Sequence, residues 1–214
     1  MAALTLVIGN KRYSSWSLRP WLALRQAGAA FDELVIPLRR PETKAAILEH
    51  SPAGKVPVLL MADGSVWESL AICEAVAELY PDAGLWPVNP AVRALARAVA
   101  TEMHGGFPEL RRAFPMDLGR EPSARPVPAE AEPELARLIG LWRSLRARFA
   151  AGGPYLFGRF SIADAMYAPV CTRLDSYDVP VDPVSRAYVD AILALPAMMD
   201  WRAAALIEPW VIEY

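Results

Sequence analysis

The chain has 214 residues, 54% hydrophobic and 21% charged, with a formal net charge of −2 at pH 7. This suits one large or two small soluble domains with buried cores. The arginines near 111–125 and 137–148 are interleaved with acids and read as solvated helix surface, which argues against a nucleic-acid partner. No apolar stretch reaches the ~18 residues that cross a bilayer. "MAALTLVIGN" breaks at once into "KRYSS", so no signal peptide is expected. Cys73 and Cys171 lie in apolar, helix-like surroundings and read as buried thiols in a reducing cytoplasm.

In chain order, "LTLVIGN" (4–10) reads as a buried strand. Residues 17–27 read as a helix, with Leu18, Trp21 and Leu22 on one stripe and Ser17 as its expected N-cap. Residues 31–38 read as a second strand and 41–50 as a short helix. A hairpin follows, with strands at 56–61 and 65–67 around an Asp63-Gly64 turn. "LAICEAVAELY" reads as a third helix that Ser69 can cap. Residues 81–90 are rich in Pro and Gly and read as a linker. The remainder is helical: 91–114, 129–151, 161–176, 184–195 and 196–206, with a Pro-rich loop at 119–133. Gly105-Gly106-Phe107-Pro108 is expected to bend or interrupt the helix over 91–114.

Three local patterns carry chemistry. "YSSWSLRPW" (13–21) puts Ser14, Ser15 and Ser17 where a strand hands over to a helix. They serve either as caps or as hydroxyls beside an anion at a positive helix terminus. Pro57 opens an apolar strand, where it cannot donate to the ladder. It reads as a cis-Pro at a sheet edge, with the Val56 backbone open to a peptide-like ligand. Glu68-Ser69 opens the next helix and offers a carboxylate for an ammonium and a hydroxyl-capped terminus for a carboxylate. An amino acid α-carbon carries both charges. A plain N-cap with a nearby acid accounts for the same atoms. Other chemistries lack their residues. There is no G-x-S-x-G elbow and no phosphate-cradling glycine loop, and two isolated histidines and two isolated cysteines make no metal site.

In this order the elements resemble the glutathione transferase family. "SPAGKVPVLLMADGSVWESLAICEAVAELYP" is similar to the stretch carrying that family's cis-proline and acid-serine pair. "GRFSIADAMYAPV" resembles the capping-box element of its C-terminal domain, with Ser161 as N-cap and Asp164 three residues on. "YSSWSLRPWLAL" is similar to the serine-type first motif of zeta-class members, with Trp16 in place of their Cys.

The resemblance implies an α/β thioredoxin-like N-terminal domain (1–80), a linker (81–90) and an all-α C-terminal helical domain (91–214). It implies glutathione as co-substrate, no metal, an electrophilic small molecule as second substrate, a cytoplasmic homodimer and a role in detoxification. The reaction would be conjugation or glutathione-dependent isomerisation. A non-catalytic binding or regulatory protein on the same scaffold is the rival. Ser14, or Ser15 one residue on, would steady the sulfur. Lys55 would meet the glycine carboxylate, the Val56 backbone the cysteinyl unit, and Glu68 and Ser69 the γ-glutamyl group. Met103, His104, Phe107 and Arg111 would face the second substrate, ordinary packing and surface charge being the alternative. Pro57, Ser161 and Asp164 would be structural.

Overall fold

In the computed structural model, which describes residues 4–212, the first apolar run forms β1 (Thr5–Gly9). Leu6 and Ile8 enter the large core, while Val7 joins Ile36, Ile47 and Val58 on the opposite face. Both faces are covered, so the strand reads as unbroken apolar sequence and not as an alternation. β2 (Asp32–Ile36) pairs parallel with β1; β3 (Val58–Met61) pairs antiparallel with its other edge and with β4 (Gly64–Trp67), giving the order β2-β1-β3-β4. α1 (Ser15–Gln26) and α3 (Ser69–Leu79) pack together over one face, and α2 (Thr43–Leu48) places Ile47 against the other.

Two features of the hairpin differ from the sequence reading. β3 starts at Val58, not at residue 56, because Pro57 has no N–H for the ladder; the Val56–Pro57 bond is cis. Met61 pairs with Gly64, so the hairpin turn is Ala62-Asp63, one residue earlier than Asp63-Gly64.

The second half is helical: α4 (Pro90–Gly105), α5 (Pro108–Ala113), α6 (Glu132–Phe149), α7 (Ile162–Ser176), α8 (Pro183–Leu193) and α9 (Pro196–Leu206). The stretch 91–114 is two helices. Phe107 adopts a left-handed φ of 59°, and Pro108 can open a helix but not continue one. α7 is the central element, buried from Ile162 to Leu174 and packed against α1, α4 and α8. Trp142 stands edge-on to Tyr188 and Tyr167 beside it. Asp164 anchors its start: Oδ2 accepts from the Ser161 N–H (2.8 Å) and hydroxyl (2.9 Å), and Oδ1 from the Leu156 N–H (3.0 Å) and Tyr188 hydroxyl (3.1 Å). The linker is tied to the same place, since the Ile162 N–H donates to the Leu85 carbonyl. Among the described residues no helix is long and apolar enough to cross a membrane.

Candidate active site

The turn between β1 and α1 is held from several directions. The Asn10 carbonyl accepts from the Tyr13 and Ser14 N–H groups, Glu208 accepts from the Lys11 and Arg12 N–H groups, and the Trp201 indole donates to the Lys11 carbonyl. Ser14, not Ser17, is the N-cap of α1. Its Oγ accepts from the Ser17 N–H (3.3 Å) and donates to Ser17 Oγ (2.7 Å), which also accepts from the Gly9 N–H (3.1 Å). Ser17 is fully buried and ties the helix to β1. Ser15 takes the first helical position, and its side chain makes no hydrogen bond with the described residues. Ser14→Ala should therefore cost about 1 kcal/mol of stability through the lost cap. Ser15→Ala should leave the thermal midpoint unchanged. Calorimetric scans of the two variants check this.

Ser14, Ser15 and Trp16 line a cleft of about 470 Å³ whose opposite wall includes Lys55, Val56 and Pro57. Lys55 is exposed at its rim, while Pro57 is buried. The Val56 N–H and C=O make no hydrogen bond with the described residues. Glu68 and Ser69 complete the cleft. Glu68, at a left-handed φ of 69°, occupies the N-cap position of α3 but does not cap it with its side chain. Ser69 is the first helical residue, not the cap the sequence suggested, because the cap position falls one residue earlier. Its hydroxyl is buried without a hydrogen-bond partner. An eleven-residue helix thus begins at the cleft with its first N–H groups uncapped by a side chain.

Two family descriptions match the chain: glutathione S-transferase, N-terminal domain, over residues 13–79, and glutathione S-transferase, C-terminal domain, over residues 128–204. The chain belongs to the glutathione S-transferase family. It is 35% identical over 96 residues to a probable maleylacetoacetate isomerase of Caenorhabditis elegans, covering 45% of this chain and 44% of that protein. It is 38% identical over 100 residues to a maleylacetoacetate isomerase of Rhizobium meliloti (strain 1021), covering 42% of this chain and 45% of the relative. The chain thus spans less than half the length of these curated relatives. Its fold is similar to a Tau class glutathione S-transferase from mango, Mangifera indica (TM-score 0.74, 18% identity, 95% of each chain covered). It is also similar to a glutathione transferase homologue from Burkholderia GL BGR1 with bound glutathione (TM-score 0.71, 22% identity, 95% of this chain and 97% of that one).

In this member of the family, His104 of α4 meets two residues of the cleft wall, with Nε2 3.6 Å from Glu68 Oε2 and its ring edge-on to Trp16. Burial holds the imidazole below its ordinary pKa; Arg19 and Arg111 add to the effect and Glu68 opposes it. Met103 and Phe107 do not line the cleft. Both belong to the core, with Phe107 against Tyr167. The left-handed turn at Phe107 breaks the phase of the helix, so the spacing 103, 104, 107, 111 does not define one face. Arg111 donates from Nη2 to the Met103 carbonyl and from Nε to the Gly106 carbonyl, capping the C-terminus of α4. Sequence reasoning missed Tyr13, Leu38 and Trp67, which also line the cleft, and Arg19, which stacks on Trp16. Arg19 gave no signal, since it flanks the stripe of Leu18, Trp21 and Leu22 and an arginine there reads as surface. Among the described residues, no three His, Cys, Asp or Glu side chains gather as metal ligands.

Proposed function

We propose that the protein binds glutathione in this cleft and activates its thiol for attack on an electrophilic small molecule. The uncapped start of α3, with the buried, unpartnered Ser69 hydroxyl beside the Glu68 carboxylate, carries the reading. The γ-glutamyl carboxylate takes the Ser69 hydroxyl and the helix terminus, and the ammonium takes Glu68. The cysteinyl unit pairs with the free Val56 N–H and C=O, and the glycyl carboxylate meets Lys55. The sulfur then sits at the start of α1, where the unengaged Ser15 hydroxyl donates to it. A helix N-terminus lowers a thiol pKa. Ser14 holds the turn in place, its hydroxyl being bonded to Ser17.

The thiolate attacks carbon. It displaces a leaving group to give a thioether, or adds to a conjugated double bond, allows rotation and leaves again. The names of the two curated relatives favour the second outcome for this chain. The electrophile enters beside His104 and Trp16. A cytoplasmic homodimer acting in detoxification is the accompanying reading, supported by family membership and by two free, buried cysteines.

The protein should be retained on immobilised glutathione, be released by the free tripeptide, and turn over an aryl halide or a cis-enedione. Retention without turnover of either would leave a binding protein. Absence of retention would overturn the assignment.

A further inference from the structure

α1 carries a buried cation without a hydrogen-bonding partner. Arg19 is fully buried, and its Nε, Nη1 and Nη2 have no acceptor among the described residues. The guanidinium lies 4.2 Å from the centre of the Trp16 ring, and Arg111 lies 5.0 Å from the same ring. Arg111 Nη1 is also buried without an acceptor. A stacked ring only partly replaces the hydration that a buried guanidinium loses.

The groups around Arg19 supply no negative charge. Arg111 of α5 and Arg173 of α7 are cations. Burial pushes the Cys73 thiol of α3 up to about 12, and it also raises the Tyr167 phenol of α7, so both are neutral near pH 7. His104 of α4 is held below its ordinary value. Of the carboxylates nearby, Glu134 accepts from the Leu110 N–H and attracts Arg111 but not Arg19, and Glu68 faces His104.

We propose that the missing counter-charge is the glutathione thiolate, held across the Trp16 ring from the Arg19–Arg111 pair. This rests on the function proposed above. Trp16 follows Ser15 directly and lines the cleft, while Arg19 comes one helical turn after Ser15, on the same side of α1. A carboxylate on the second substrate would need hydrogen bonds to the guanidinium. Arg19 offers no exposed surface for them. Coulomb attraction acts through the ring, and the low dielectric around buried groups strengthens it. Arg19 is then a positioning residue that never touches the sulfur.

Bound reduced glutathione can be titrated by its thiolate absorbance. In Arg19→Met the midpoint should rise by about one pH unit, a tenfold fall in the thiolate-to-thiol ratio. Affinity for S-methylglutathione, which has no thiol, should be unchanged. Arg111→Met should move the midpoint the same way and serves if the first variant folds poorly. An unmoved midpoint in the folded variants would overturn the proposal, as would an equal loss of S-methylglutathione affinity. A KM rise confined to carboxylate-bearing electrophiles would assign the pair to the second substrate instead and also overturn it. Failure of the unaltered protein to bind glutathione would sink the underlying reading; binding with an unmoved thiol sinks this proposal alone.

Discussion

Replacing Asp164 by alanine is expected to lower the unfolding free energy by about 3–5 kcal/mol, a large share of the roughly 5–15 kcal/mol that holds an ordinary domain folded. The carboxylate is fully buried and accepts four hydrogen bonds, from the Leu156 and Ser161 N–H groups and the Ser161 and Tyr188 hydroxyls. Alanine leaves four donors facing an empty space, and each buried donor without an acceptor costs about 1–3 kcal/mol. The site is central, since α7 packs against α1, the helix that carries the serines. Urea unfolding measures the loss. A change of under about 1 kcal/mol would show that solvent reaches the box.

The same group gives a pH signature. Burial pushes its pKa up to about 6, against the lowering effect of its hydrogen bonds. The folded value lies above that of the unfolded chain, so the contribution is complete below about pH 4 and is lost as pH rises through 6. Between pH 5 and pH 7 the wild type should lose about 1 kcal/mol more than Asp164→Asn, which does not titrate. Parallel slopes for the two proteins would mean that the carboxylate ionises in the fold as freely as in the unfolded chain.

The parts of this molecule that could be read from sequence are those whose physics is local. β1 declared itself because a strand covered on both faces has no polar alternation to confuse it. Glu68-Ser69 and Val56-Pro57 were legible because a helix start and a ladder-breaking proline impose their chemistry on the adjacent backbone. The start of α1 was not, because three serines in four residues all satisfy N-cap chemistry. The choice of Ser14 follows from Ser17 meeting the Gly9 N–H, a contact with another element. Met103 and Phe107 were misplaced for a related reason. A helical count across 103–111 assumes continuous phase, and one left-handed residue at Phe107 cancels it. Arg19 was hidden because an arginine is ordinarily taken as surface. Its burial depends on Trp16 and Arg111, the second of which lies on a helix from the other half of the chain.

Ser69→Ala is expected to weaken glutathione binding about tenfold to a hundredfold while leaving the thermal midpoint where it is. Most helix-opening serines could not be altered so cleanly, because their hydroxyls cap. Here the cap position belongs to Glu68, and the Ser69 hydroxyl has no partner among the described residues, so alanine removes no internal hydrogen bond. What it removes is a donor to the ligand's carboxylate. A hydrogen bond to a charged group contributes about 1.5–3 kcal/mol, which sets the expected loss in affinity. Cysteinylglycine, which lacks the γ-glutamyl unit, locates the contact. Calorimetry should find the variant and the wild type binding it equally weakly, so that the two substitutions, one in the protein and one in the ligand, are not additive. Equal losses for glutathione and the dipeptide would place the γ-glutamyl carboxylate away from α3. A fall in thermal midpoint would mean that the hydroxyl serves the helix after all.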